Sequence, residues 1–277
     1  MDLNTVTAVA RPRSRAEIGA FGPGDAFLGG GTWLFSEPQP AVSRLIDLTT
    51  LGWPPLVATD EGLSIAATCP VARLDAFEGP AGWRAAPLIG DCCRAFLASF
   101  KIWNTATVGG NICASLPAGP MISLAAALDG SCLVWSPDGT ERRVGVFDFC
   151  RGPFDNALAP GEILRAIDLS AAALRRPYAF RRQSLSPLGR SGVLLIGTLT
   201  EEGAFLLTVT ASTRRPVRLA FDAIPGAEAL AARIDAEIPA ALWHDDIHGA
   251  PDWRRHMTLE FAGEIRAELG SIAGATA

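Results

Sequence analysis

Two glycine-rich stretches carry most of the chemistry that the sequence offers. In the first, Leu28-Gly29-Gly30-Gly31-Thr32 runs straight out of the apolar segment Ala26-Phe27-Leu28. In the second, Thr107-Val108-Gly109-Gly110-Asn111 continues through Ser115 to Pro117-Ala118-Gly119-Pro120. Glycine permits positive φ and lets consecutive amides converge on an anion, and a flanking hydroxyl adds one more donor. Either stretch alone is equally a tight turn. Two of them in successive units suggest a doubly negative group held between them, and a pyrophosphate needs that many donors. Other nucleotide patterns fail. A P-loop requires Gly-Lys-Ser/Thr, and the sole lysine is Lys101. In the dinucleotide fingerprint, Gly22-Pro23-Gly24 is followed by Phe27 where the last glycine belongs, and Gly29-x-Gly31 by Leu34.

Nucleophilic and metal chemistry find little support. No Gly-x-Ser-x-Gly occurs, and no Cys-His or Ser-His spacing stands out. His244 and His248 could form a metal pair on a helix, but Gly249 and Pro251 follow closely, which favours a surface or capping role. The six cysteines lie at 69, 92, 93, 113, 132 and 150, with no Cys-x-x-Cys and every histidine after them. Zinc and iron–sulfur spacings are therefore absent, and reduced, mostly buried thiols are expected. No catalytic residue and no metal ligand is assigned to this chain.

The elements that must position the glycines follow from pattern and composition. A chain of 277 residues, 49% hydrophobic and 19% charged, has length for about two domains and is too apolar for disorder. The net charge of −5 and scattered arginine pairs disfavour nucleic acid. No apolar run reaches the length of a membrane span, and the N-terminus lacks a secretory pattern, so a cytoplasmic protein is expected. Its low charge suits a surface hidden against a partner. Strands are expected at 26–28, 43–48 and 63–67, a hairpin at 132–144 around Asp138-Gly139, and strands at 164–169, 178–183, 193–200 and 204–210. A helix is expected over 84–98, a loop over 101–120, a short helix over 121–128 and a linker over 170–177. Trp253, Met257, Phe261, Ile265 and Leu269 recur every fourth residue and predict a final core-packing helix, with Asp252 as N-cap and Gly270 as C-cap. The class is α+β in three parts: 1–52, 53–175 and 176–277.

In order and separation these segments resemble the FAD-binding medium subunit of molybdenum hydroxylases, of the carbon monoxide dehydrogenase and xanthine dehydrogenase type. LGGGTWL with SRLIDLTTL resembles the family's opening. NTATVGGNICASLPAG, ALDGSCLVW and DFCRGPFDNALAPGEILRAIDL resemble its middle, and DDIHGAPDWRRHM its end. The resemblance spans nearly the whole chain. It implies two FAD-binding subdomains of the PCMH/vanillyl-alcohol-oxidase type with FAD between them, plus a C-terminal three-stranded sheet with a helical bundle. It also implies cofactor contacts. Leu28, Gly29, Gly30, Gly31 and Thr32 match the first pyrophosphate loop, and Trp33 and Leu34 the positions just after it. Thr107, Val108, Gly109, Gly110 and Asn111 match the second loop, with Ser115 in the adjoining stretch. Leu158 matches a leucine that packs on the flavin, and Arg181 a basic position near the isoalloxazine.

The sequence departs from the family in several places. Ala106 stands where glycine is usual, Trp33 where aspartate or histidine is frequent, and Pro120 where an aspartate normally serves the FAD ribose. Phe154 or its neighbour replaces a common tyrosine, and SLSPLGRS at 184–191 replaces a segment with two arginines and an aspartate. The function implied is an oxidoreductase subunit that takes electrons from iron–sulfur clusters through FAD to an external acceptor. Its partners would be a molybdopterin-binding large subunit and a 2Fe–2S small subunit, in a heterotrimer or a dimer of heterotrimers. The alternatives are a stand-alone flavin oxidoreductase, or a scaffold subunit that has lost FAD, a reading Trp33 and Pro120 favour.

Overall fold

Among the described residues, apolar alternation and turn residues set three larger sheets and one two-stranded ribbon. The computed structural model describes residues 3–276; Met1, Asp2 and Ala277, the ends of the first and last expected units, lie outside the described residues. Strands β1 (Ala8–Ala10), β2 (Asp25–Leu28) and β3 (Arg44–Asp47) make a parallel sheet in the order β1-β3-β2. The Arg44 guanidinium donates to Asp25 at the start of β2 and holds that carboxyl down at about 2. Leu28 pairs with Asp47, so the first glycine stretch leaves the sheet at a defined register.

The second sheet is antiparallel. It contains β4 (Leu56–Thr59), β5 (Gly62–Ala66), β6 (Ser131–Trp135) and β7 (Glu141–Gly145). The β6–β7 turn is the expected one: Gly139 takes φ +90°, and Asp138 accepts from the Thr140 amide. Short strands β8 (Cys150–Gly152) and β9 (Asp155–Asn156) pair with each other, and β10 (Ile163–Ser170) then completes the sheet, in the order β4-β5-β10-β6-β7.

Between β5 and β6 lie α1 (Val71–Asp75), α2 (Ala86–Ala95), α3 (Phe100–Trp103), α4 (Val108–Ala114) and α5 (Pro120–Ala127). The continuous loop expected over 101–120 is thereby corrected. Thr107 acts as an N-cap whose Oγ1 accepts from the Gly110 amide, so the two glycines sit inside a helix rather than in a turn. Helix α6 (Val146–Phe149) follows β7. Helix α7 (Ala171–Arg175), capped by Ser170, occupies the expected linker.

The third sheet has four strands, one more than expected. Strands β11 (Tyr178–Gln183), β12 (Val193–Leu199), β13 (Phe205–Thr210) and β14 (Val217–Phe221) form an antiparallel meander. Pro216 and the arginines around it hide β14, in which only Val217 and Leu219 are buried. Helix α8 (Ala227–Glu237) and α9 (Pro251–Thr276) cover one face. The predicted stripe of α9 packs inward, but Gly270 does not cap it. The helix runs on because a residue with no required contact at that point costs little, while Ile272 still packs against the core.

Strand β12 is shared by two cores. Leu194 and Ile196 belong to the main core with α2 and α5, and Val193, Leu195 and Leu199 belong to the core under α9. Gly197 permits this approach: a Cβ there would lie 2.3 Å from Ile265 Cγ2 of α9. A buried hydroxyl pair, Ser123 Oγ to Thr210 Oγ1 at 2.7 Å, ties the third sheet to α5, and the Ala211 amide donating to Pro117 O at 2.8 Å ties it to the segment just before α5.

Candidate functional site

Both glycine stretches open onto one cleft of about 410 Å³. After β2 the chain turns at Gly31, φ +70°, and winds into a single helical turn. That turn is closed by the Phe35 amide on Gly31 O at 2.8 Å and the Ser36 amide on Trp33 O at 2.9 Å. A side chain at Gly31 would strike the Phe35 ring, which comes within 2.6 Å. Among the described residues, the amides of Gly30, Gly31, Thr32 and Trp33 make no hydrogen bond. Four consecutive free donors at the start of a turn are what an anion needs.

The second stretch is different. The Val108 amide donates to Cys69 O at 2.9 Å and the Gly109 amide to Ala67 O at 2.8 Å. The Gly110 amide donates to Thr107 Oγ1 at 3.0 Å, and the Asn111 amide to Thr107 O at 3.0 Å. These glycines serve close packing instead. A Cβ at Gly109 would lie 2.4 Å from Ala67 Cβ, whereas one at Gly110 would meet only Thr107 Oγ1, at 2.9 Å. The two stretches touch at Gly30, where a Cβ would lie 1.7 Å from Thr105 O.

Of the residues expected from the sequence, Leu28, Gly29, Gly30, Gly31, Thr32, Trp33, Leu34, Thr107, Gly110 and Asn111 line the cleft. Five do not. Val108 and Gly109 are buried beneath it. Ser115 ends α4 in a left-handed conformation, φ 51°, with a buried hydroxyl that has no hydrogen-bond partner. Leu158 packs half-buried against the main core. Arg181 turns away to α9, where its guanidinium meets Glu264 at 2.6 Å and Glu268 at 2.7 Å. Two carboxylates take up its charge there.

Residues not anticipated complete the walls: Phe27, Phe96, Ile102, Ala106, Cys113, Ala114, Leu116 and Arg190. Phe27 could have been found from its place beside Leu28. Ala106, Cys113, Ala114 and Leu116 flank the second stretch, whereas Phe96, Ile102 and Arg190 come from other segments. Cys113 is half-buried, and desolvation pushes its thiol up to about 12, so it acts as an apolar wall and not a nucleophile. Trp33 is 43% exposed at the rim and packs on Phe154, ring centroids 5.2 Å apart. Phe154 holds φ 59°, rare for an aromatic residue, with its amide on Ala114 O at 3.0 Å. Such a conformation costs about 1–3 kcal/mol and persists where surrounding contacts enforce it.

Elsewhere, His244 lies 3.3 Å from Asp246 ahead of α9, so the two histidines do not share a helix. Among the described residues no three His, Cys, Asp or Glu side chains gather as a metal-ligand set. No helix among them is long and apolar enough to cross a membrane.

Free amides, a threonine hydroxyl, one cation and no carboxylate fit a dinucleotide pyrophosphate, and the apolar walls fit its flat rings. The fold and cleft thus define an α+β dinucleotide-holding domain with a C-terminal sheet-and-helix unit. The family model of the FAD-binding domain in molybdopterin dehydrogenase matches residues 6–170. The chain belongs to that family, and FAD is its cofactor. Compared by sequence with curated proteins, the chain has no significant match. Solved structures show the shared fold. Quinoline 2-oxidoreductase from Pseudomonas putida 86 superposes with TM-score 0.77 at 18% identity, over 97% of this chain and 98% of that one. Carbon monoxide dehydrogenase from Hydrogenophaga pseudoflava, in a form lacking the Mo-pyranopterin moiety, gives 0.78 at 19%, over 94% and 96%. Reconstituted CO dehydrogenase from Oligotropha carboxidovorans gives 0.77 at 20%, over 94% and 97%. The fold is accordingly the two-subdomain FAD-binding type with a C-terminal α+β unit, in an oxidoreductase of the molybdenum hydroxylase class.

Proposed function

We propose that the chain is the electron-transfer subunit of a multi-subunit molybdenum hydroxylase, working in the cytoplasm beside a molybdopterin-binding large subunit and a 2Fe–2S small subunit. In this reading electrons arrive from the iron–sulfur clusters and leave through the flavin to an external acceptor. The observation that carries it is the make-up of the cleft: free amides on the first stretch, and no Asp, Glu or His among the described lining residues. A protein that oxidised an organic substrate here would need a group to accept its proton, and none lines the cleft.

FAD supplies the redox chemistry when bound. The chain's own residues do the rest. Gly30 to Trp33 hold the pyrophosphate by backbone donors, Thr107 and Asn111 present side-chain oxygen and nitrogen on the facing wall, and Phe96, Ile102 and Leu116 exclude water. Trp33 and the Phe154 ring packed on it leave large apolar surface exposed, as do Leu97, Phe100 and Leu188, close in sequence to the lining residues Phe96, Ile102 and Arg190. That suits a face covered by another subunit.

Co-expression with the genes of such partners tests the reading. A heterotrimer or its dimer containing Mo, Fe and FAD supports it. Turnover of a small organic substrate by the isolated, flavin-loaded chain would replace it with a stand-alone flavoenzyme, and a purified complex devoid of flavin would replace it with a scaffold.

A further inference from the structure

We infer that Arg190 is the cation that pairs with the FAD pyrophosphate, a role that rests on FAD occupying the glycine cleft. Among the described residues that line the cleft, Arg190 is the only one with a charged side chain. It forms no ion pair and no hydrogen bond among the described residues, unlike Arg181, whose charge Glu264 and Glu268 take up. A doubly negative group in an apolar cleft needs a counter-charge beyond neutral amides, and guanidinium meets phosphate oxygens in a two-pronged geometry.

The loop that presents Arg190 is braced. It joins β11 to β12, and the Gly192 amide closes it on Gln183 O at 2.9 Å. Arg182, at the end of β11, reaches across the loop base: its Nε donates to Ser191 Oγ at 2.6 Å and its NH2 to Gly189 O at 2.5 Å. The Gly189 amide donates to Ser186 O at 2.9 Å. The residues on either side of Arg190 are thus pinned, while its own side chain is left without a partner. Arg190 is exposed, but the bonds around it fix its backbone where the side chain can reach the cleft.

The test uses the full chain freed of flavin and titrated with FAD, ADP and riboflavin, which lacks phosphate. In Arg190→Met, FAD and ADP should each weaken by the same factor, about 10- to 100-fold, as expected for a charge-assisted bond. Riboflavin affinity should not change, and the salt dependence of FAD binding should flatten. Arg190→Lys should recover part of the loss, and Arg181→Met should bind FAD as the wild type does. Unchanged FAD affinity in Arg190→Met sinks the proposal. So does an equal loss for riboflavin, which would place the guanidinium against the flavin ring. Failure of the wild type to bind FAD at all overturns both this inference and the cleft reading. A loss confined to the Arg190 variant supports both.

Discussion

The two glycine stretches look alike in sequence and do opposite things with their backbones. Gly30 to Trp33 leave four amides free, whereas the amides from Val108 to Asn111 are all satisfied within the chain. The first stretch ends a parallel strand and must turn, so its donors face outward with nothing in the chain to meet them. The second begins a helix, and a helix start capped by Thr107 and bridged to Ala67 and Cys69 has no donor to spare. A Gly-Gly pair therefore goes with fully bonded amides in one case and with a run of free donors in the other. Only the fate of each N–H separates them.

The largest effect expected from this contrast is at Gly30. A side chain there runs into the Thr105 backbone carbonyl, which cannot rotate away, so Gly30→Ala must force the two stretches apart. It should cost about 3 kcal/mol in urea melts and abolish FAD retention. Gly110→Ala meets only the movable Thr107 hydroxyl and should keep the fold and most of the FAD. Equal losses at the two positions would break the contrast.

Glu162 offers the next test, on the side of the first stretch. Arg142 donates to Glu162 at 2.9 Å, the Ala159 amide at 2.8 Å and Ser136 Oγ at 3.0 Å, and these hold its carboxyl down at about 2. Arg142 also reaches Ala157 O at 2.7 Å, tying down the segment that carries Phe154 to the Trp33 rim. Glu162→Gln should cost about 2 kcal/mol near neutral pH. Because folding lowers this pKa, its contribution is complete above the ordinary value of 4.5 and fades as pH falls toward 2. Wild type and variant should converge in stability across that range. Trp33 fluorescence should report the loosened rim.

Smaller still is Thr107→Ala, which removes an N-cap and should cost about 1 kcal/mol. If the second stretch is structural, Thr107→Ser restores the stability, and FAD affinity follows stability rather than falling further. The smallest effect concerns Cys113 and is read as a labelling rate. With its thiol pushed up to about 12, iodoacetamide should react slowly at pH 8, and FAD should slow it more. Fast labelling unaffected by FAD would remove Cys113 from the occupied wall.

The strands, the Asp138-Gly139 hairpin and the inward stripe of α9 were legible because period and turn chemistry are local. So was most of the first stretch, where successive residues share one turn. The second misled because paired glycines read as a loop, and the cap that makes them helical is a single hydroxyl. Strand β14 was missed because arginines dilute its pattern. Arg181 and Arg190 could not be told apart by type or spacing. What separates them is the pair of glutamates at 264 and 268, some eighty residues further along, which claim one and leave the other.

The sharing of β12 bears on whether this architecture is modular. Removing everything after residue 175 would strip Leu194 and Ile196 from the main core and the Ala211 amide from Pro117 O, next to the helix that bears Gly110. The C-terminal unit is therefore no detachable appendage, although the chain passes into it only once. A shortened FAD-binding half should be insoluble when expressed alone, and a C-terminal unit transplanted from a relative should succeed only if its central strand supplies matching side chains on both faces. Descent within this family would be expected to pass the two halves on together, with change concentrated in the loops that border the cleft.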